Sequence, residues 1–94
     1  MAITEKNIVL EGVDLINFAG LKDKNIDLIR ERFAANLTIR GENIFLKGED
    51  EELSQLETII KELILLQKRQ GKITDGDVTL IIELVTGSQD SAME

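Results

Sequence analysis

The chain has 94 residues, 18 acidic against 11 basic for a formal net charge of −7, and 43% of it is apolar. It contains no cysteine, histidine, tryptophan or tyrosine. That composition excludes disulfides, thiolate chemistry, the commonest general base and the commonest metal ligand, and the length suits one domain around a modest aliphatic core.

Residues 3–10, ITEKNIVL, end in the apolar run Ile8-Val9-Leu10 and predict a strand that stops near Gly12. Asp14 is placed to cap a short helix, Leu15 to Ala19, with Gly20 at its left-handed end. After Gly20-Leu21-Lys22-Asp23, Asp23 caps a second helix, Lys24 to Ala34. Its Ile26, Ile29 and Phe33 fall at the spacing of one buried stripe, and Lys24 and Arg30 fall away from it. Asn36 closes this helix, since asparagine tolerates positive φ.

Leu37 to Gly48 alternates like a hairpin, with Gly41-Glu42 as a two-residue turn and glycine at its first central position. Leu37, Ile39, Ile44 and Leu46 form its core face, whereas Phe45 lies opposite, as a second packing contact or an exposed aromatic. A long helix follows from Asp50 to about Gln70. Glu49 to Glu52 crowd its start, Lys68 and Arg69 its last turn, and Gly71 ends it. Its stripe of Leu53, Leu56, Ile59, Ile60, Leu63 and Leu66 is widened by Ile64 and Leu65, which predicts contact on two sides. Thr74 to Asp77 resembles a capping box with Asp in place of Glu. It opens a helix from Asp75 to about Val85 that presents Val78, Ile81, Ile82 and Val85. Residues 1–86 therefore form the expected domain, and 87–94 a flexible tail.

Catalytic apparatus is missing from this pattern. None of the seven glycines fits a P-loop, no metal-ligand spacing appears, and no serine or threonine has a base to activate it. The carboxylates at 49–52 read as helix-start electrostatics, since consecutive helical residues point in different directions. We therefore expect no enzyme activity, no catalytic residue, no metal and no cofactor in this segment. No apolar run reaches the roughly 20 residues that span a bilayer, the N-terminus lacks a signal layout, and the cytoplasm is the expected compartment. The charge is uneven. Between Gly20 and Gly48, Lys22, Lys24, Arg30, Arg32, Arg40 and Lys47 face Asp23, Asp27, Glu31 and Glu42, a net +2 against −9 elsewhere. This mildly basic middle is either ordinary solvated charge or a contact surface for an anion.

The element order, strand–helix–helix–strand–strand–helix with one added helix, resembles a type I KH domain. The implied fold class is α+β, a KH-like three-stranded sheet packed on helices plus an extra C-terminal helix. In that family a G-x-x-G loop joins the first two helices and clamps the backbone of single-stranded nucleic acid. Gly20-Leu21-Lys22-Asp23 occupies that place, with the second glycine replaced by aspartate. The resemblance implies Gly20, Lys22, Lys24, Arg30 and Arg40 as contacts, with Asp23's carboxylate occupying the N–H groups an anion would want.

A narrower resemblance rests on NIVLEGVDLINFAG, NIDLIRERF, RGENIFLKGEDEE and the final ITDGDV, over roughly Ile3 to Val85. Within it, Arg40-Gly41, Asn43, Ile44 and Gly48 are similar to a pattern R-G-N-x-I-x-x-x-G. These pieces resemble the N-terminal domain of PhoH-like proteins, which carry a P-loop ATPase domain and are associated with phosphate starvation and RNA metabolism. The resemblance implies a non-catalytic accessory domain, with 87–94 as the start of a linker and ATP and Mg bound only by the ATPase domain. Its implied partner is single-stranded RNA. The alternative is a protein-interaction or oligomerisation module that docks on the ATPase domain or another subunit without nucleic acid.

Overall fold

A computed structural model describes residues 3–87; of the tail expected over 87–94, all but Gly87 lies outside them. The chain runs β1 (Ile3–Val9), α1 (Leu15–Ala19), a 3-10 turn (Leu21–Asp23), α2 (Lys24–Arg32), β2 (Asn36–Arg40), β3 (Asn43–Glu49), α3 (Asp50–Gln70) and α4 (Asp75–Ile82). A π-helical turn, Glu83–Gly87, follows. The strands form one antiparallel sheet in the order β1-β3-β2, so β3 is central and both other strands are edges. Ile8 and Ile39 lie on either side of Ile44, and Lys6 and Leu37 on either side of Leu46. The class is α+β, as expected.

Strand alternation separates two faces. Ile8, Leu37, Ile44 and Leu46 are buried toward the helices, where α3 inserts Leu53, Leu56, Ile59, Ile60 and Leu63. Phe18, Ile26, Ile29, Val78 and Ile82 complete the same cluster from α1, α2 and α4. Each such aliphatic side chain stabilises by about 1.5–3 kcal/mol when fully buried. The long helix is also tied to β1 from the side: Lys6 Nζ donates to Glu57 at 3.1 Å, and Thr4 donates to Asp50. The other sheet face is open. Glu5, Asn7, Thr38, Arg40 and Lys47 are exposed there, and Phe45 among them is 42% exposed. Phe45 is thus an exposed aromatic, not a second-face packing contact.

Two boundaries differ from expectation. Helix α2 ends at Arg32, because Phe33 is already extended at φ −127° and ψ 145°. Asn36 does not close the helix; it begins β2. The chain turns between them without a left-handed asparagine because α3 supplies a partner: the Ala34 N–H donates to Glu52 at 3.2 Å. Gly48 makes room, since a Cβ there would lie 2.6 Å from the Cβ of Ala35. The second difference is α4, which is α-helical only to Ile82 and widens into the π turn. There Thr86 donates its hydroxyl back to the Ile82 carbonyl at 2.7 Å and accepts from Arg32 at 3.2 Å.

Other local readings hold. The Gly41-Glu42 turn has glycine first at φ 58°, and Gly71 caps α3 in the left-handed region, its N–H donating to Gln67. Thr74 and Asp77 complete a reciprocal capping box, with bonds of 3.1 and 3.0 Å. Aspartate therefore reaches as far as the glutamate it replaces. Among the described residues no helix is long and apolar enough to cross a membrane.

Candidate nucleic-acid interface

The joint between α1 and α2 is built from the residues the sequence singled out, in a conformation it did not foretell. Asp14 caps α1, accepting from the Asn17 backbone at 3.3 Å and from its side-chain amide at 2.7 Å. Gly20 ends α1 as expected, but at φ 84° and ψ 173° and not in the left-handed helical region; this is a region open essentially to glycine alone. Lys22 at φ 54° and Asp23 at φ 60° are both left-handed, which costs L-residues roughly 1–2 kcal/mol each. The joint is strained, and something must hold it.

Asn25 holds it. This side chain, in the first turn of α2, is only 3% exposed. Its Nδ2 donates to the Phe18 carbonyl at 3.1 Å and to the Ile73 carbonyl at 3.3 Å. One amide thus binds the end of α1 and the α3–α4 connection to the start of α2. It also fills the space beside Gly20, where a Cβ would lie 2.8 Å from Nδ2. Sequence reasoning passed over Asn25, because a polar residue after a charged run reads as surface.

Asp23 departs from expectation. A capping side chain takes an extended backbone so that its oxygen reaches back to the first helical N–H groups. Asp23 is left-handed and makes no side-chain cap bond. The start of α2 is therefore without a side-chain cap, and the carboxylate does not occupy the N–H groups that an anion would want.

Beside the joint lies a groove of about 440 Å³ between α1, α2 and the outer edge of β2. Leu15, Ile16, Ile26 and Ile39 give it an apolar lining, Gly20 and the carboxylate-bearing Asp23 its lip, and Arg30 its cation. Ile16 is 83% exposed, an apolar side chain in water at the groove mouth. Arg30 is firmly placed. Its Nε and Nη2 donate to the Leu37 carbonyl at 3.2 and 3.1 Å, and Nη1 to Asp27 at 3.2 Å. That contact also covers a carbonyl on the unpaired edge of the sheet.

Of the five candidate contacts, only Gly20 and Arg30 line this groove. Lys22 and Lys24 border a neighbouring depression with Asp27, Leu28 and Glu31. Lys24 is engaged by Asp75 of α4 at 2.8 Å, and that hydrogen bond and charge hold the Asp75 carboxyl below the usual carboxylate range. Arg40 ends β2 at the hairpin turn and contributes to neither lining. The apolar residues Leu15, Ile16 and Ile39 escaped the sequence reading because their spacing marks them equally well as core. Among the described residues no three acidic side chains gather as a metal site would require.

Comparison with known proteins returned no matching family model, curated protein or solved structure.

Proposed function

We propose that this segment is a non-catalytic, KH-like accessory domain that binds single-stranded RNA across the α1–α2 joint and the groove beside it. One observation carries the reading: the strained Gly20–Asp23 joint leaves the start of α2 without a side-chain cap, at the lip of an open apolar groove. Backbone strain of this kind persists where the surrounding structure over-determines it, often at ligand clamps. Helix N–H groups favour a phosphate, and the apolar lining favours bases. The sheet order β1-β3-β2 with helices on one face agrees with the KH-like resemblance. In the PhoH-like reading, ATP hydrolysis belongs to a different segment, and purified chain is expected to hydrolyse none above background.

Titration of labelled single-stranded RNA at low salt tests the reading. We expect saturable binding that weakens steeply as salt rises and falls several-fold in Lys22→Ala with Lys24→Ala. Absence of binding at high micromolar protein, or no effect of the double substitution, rejects it.

A second reading is favoured by α4 and the π turn that follows it. Leu80 and Leu84 are 56% and 61% exposed, one turn apart, and Leu80 borders a depression with Leu28 and Thr79. Such a patch suits a module that docks on another domain or subunit. Light scattering separates the two: association abolished by Leu80→Ser with Leu84→Ser, with RNA binding absent, supports docking alone.

A further inference from the structure

Phe45 is 42% exposed on the open sheet face, and Phe33, just past the end of α2, is half-buried against the core. Phe33 and Phe45 line one open groove of about 560 Å³. It lies where the open sheet face meets the β2 edge, with Asn36, Thr38 and Lys47 on its walls. Arg30 lines this groove and the one beside Gly20 alike. The two grooves therefore adjoin around the edge of β2, sharing one guanidinium.

Charge selects the occupant. The charged lining is Lys6, Arg30 and Lys47 against Glu5, a positive margin on a chain of net charge −7. Lys6 is engaged by Glu57 at 3.1 Å and Arg30 by Asp27 at 3.2 Å through Nη1 alone, whereas Lys47 meets Glu5 only at 3.9 Å. A polyanion with flat apolar faces fits such a surface: phosphates meet Lys47 and Arg30, and bases lie against the phenyl rings. From these features we infer that the open sheet face is a second contact surface for the same single strand. A strand leaving the Gly20 groove passes Arg30, rounds the β2 edge and stacks on Phe45 and Phe33. The inference rests on the RNA-binding reading and extends it from a short clamp to a longer path.

The test compares two oligouridylates, one of about four nucleotides, the length a KH-type loop clamps, and one of about ten, within the usual range of extended single-strand sites. On wild-type protein the longer oligomer should bind roughly tenfold tighter, as one or two base stacks provide. Phe45→Ala, at an exposed position, should abolish that gain and leave the shorter oligomer unaffected. Because the chain has no tryptophan, Phe45→Trp supplies a direct signal, which the longer oligomer should quench and the shorter one should not. A length gain that persists in Phe45→Ala reflects polyelectrolyte attraction alone and overturns the inference, as does an unquenched Phe45→Trp; in both cases the Gly20 groove reading stands. If Phe45→Ala weakens binding and Lys22→Ala with Lys24→Ala does not, the groove reading fails and the sheet face is the site. No binding of either oligomer rejects both.

Discussion

The buried side chain of Asn25 fastens the α1–α2 joint. Its amide answers two carbonyls from different parts of the chain, and both lie where water is scarce. Asn25→Ala leaves them without partners, so we expect a loss of about 2–3 kcal/mol in denaturant unfolding. Gly20→Ala attacks the same contact from the opposite side, since its Cβ would strike Asn25 in a backbone region closed to alanine. Asp23 is the reverse case. Its left-handed backbone carries a Cβ for no compensating cap bond, so Asp23→Gly should leave stability within about 1 kcal/mol of wild type. Removing the carboxylate should also tighten RNA binding several-fold in a low-salt titration. Gly20 was legible in the sequence as a helix-ending glycine. The backbone of Lys22 and Asp23 was not, because nothing local distinguishes a capping aspartate from a left-handed one; packing around Asn25 decides it.

At the level of elements, the strands and helices were legible from periodicity, and the places where expectation failed are where one element terminates against another. The end of α2 and the start of β2 depend on Glu52 and Gly48, which lie 18 and 13 residues away from the turn atoms they serve. No local pattern encodes such a partner. Gly48→Ala should force the turn at Ala35 outward and destabilise the fold by about 1–3 kcal/mol, as overpacking does, measured by thermal or chemical unfolding. The capping box of α4 gives a pH signature. The Thr74 backbone N–H holds the Asp77 carboxyl below its usual range, and the Lys6 hydrogen bond does the same for Glu57. A carboxyl whose folded pKa is depressed stabilises fully above its unfolded value, about 4, and loses that contribution as pH falls through the folded value. Unfolding midpoints should thus be flat above about pH 5 and decline below about pH 4. Asp77→Asn should shallow the decline, and Thr74→Ala should cost about 1 kcal/mol at neutral pH.

For the whole molecule, Arg30 joins stability to surface. Its bonds to the Leu37 carbonyl shield the β2 edge, so Arg30→Ala should lower stability by about 1–2 kcal/mol and weaken RNA binding together. Lys22→Ala should affect binding alone. The basic middle between Gly20 and Gly48 was legible in the sequence, but not which of its cations stands at the edge where β2, α2 and the open sheet meet, because strand pairing and the Leu37 carbonyl place Arg30 there. A further consequence belongs to the amide of Asn25 and the ion pair of Lys24 with Asp75, which fasten the α3–α4 connection and the first residue of α4 to the joint. If α4 transiently detaches, the joint loses its restraint at the same moment. In hydrogen–deuterium exchange, protection across Val78 to Ile82 and across Asn25 to Ile29 should accordingly rise and fall as one cooperative unit.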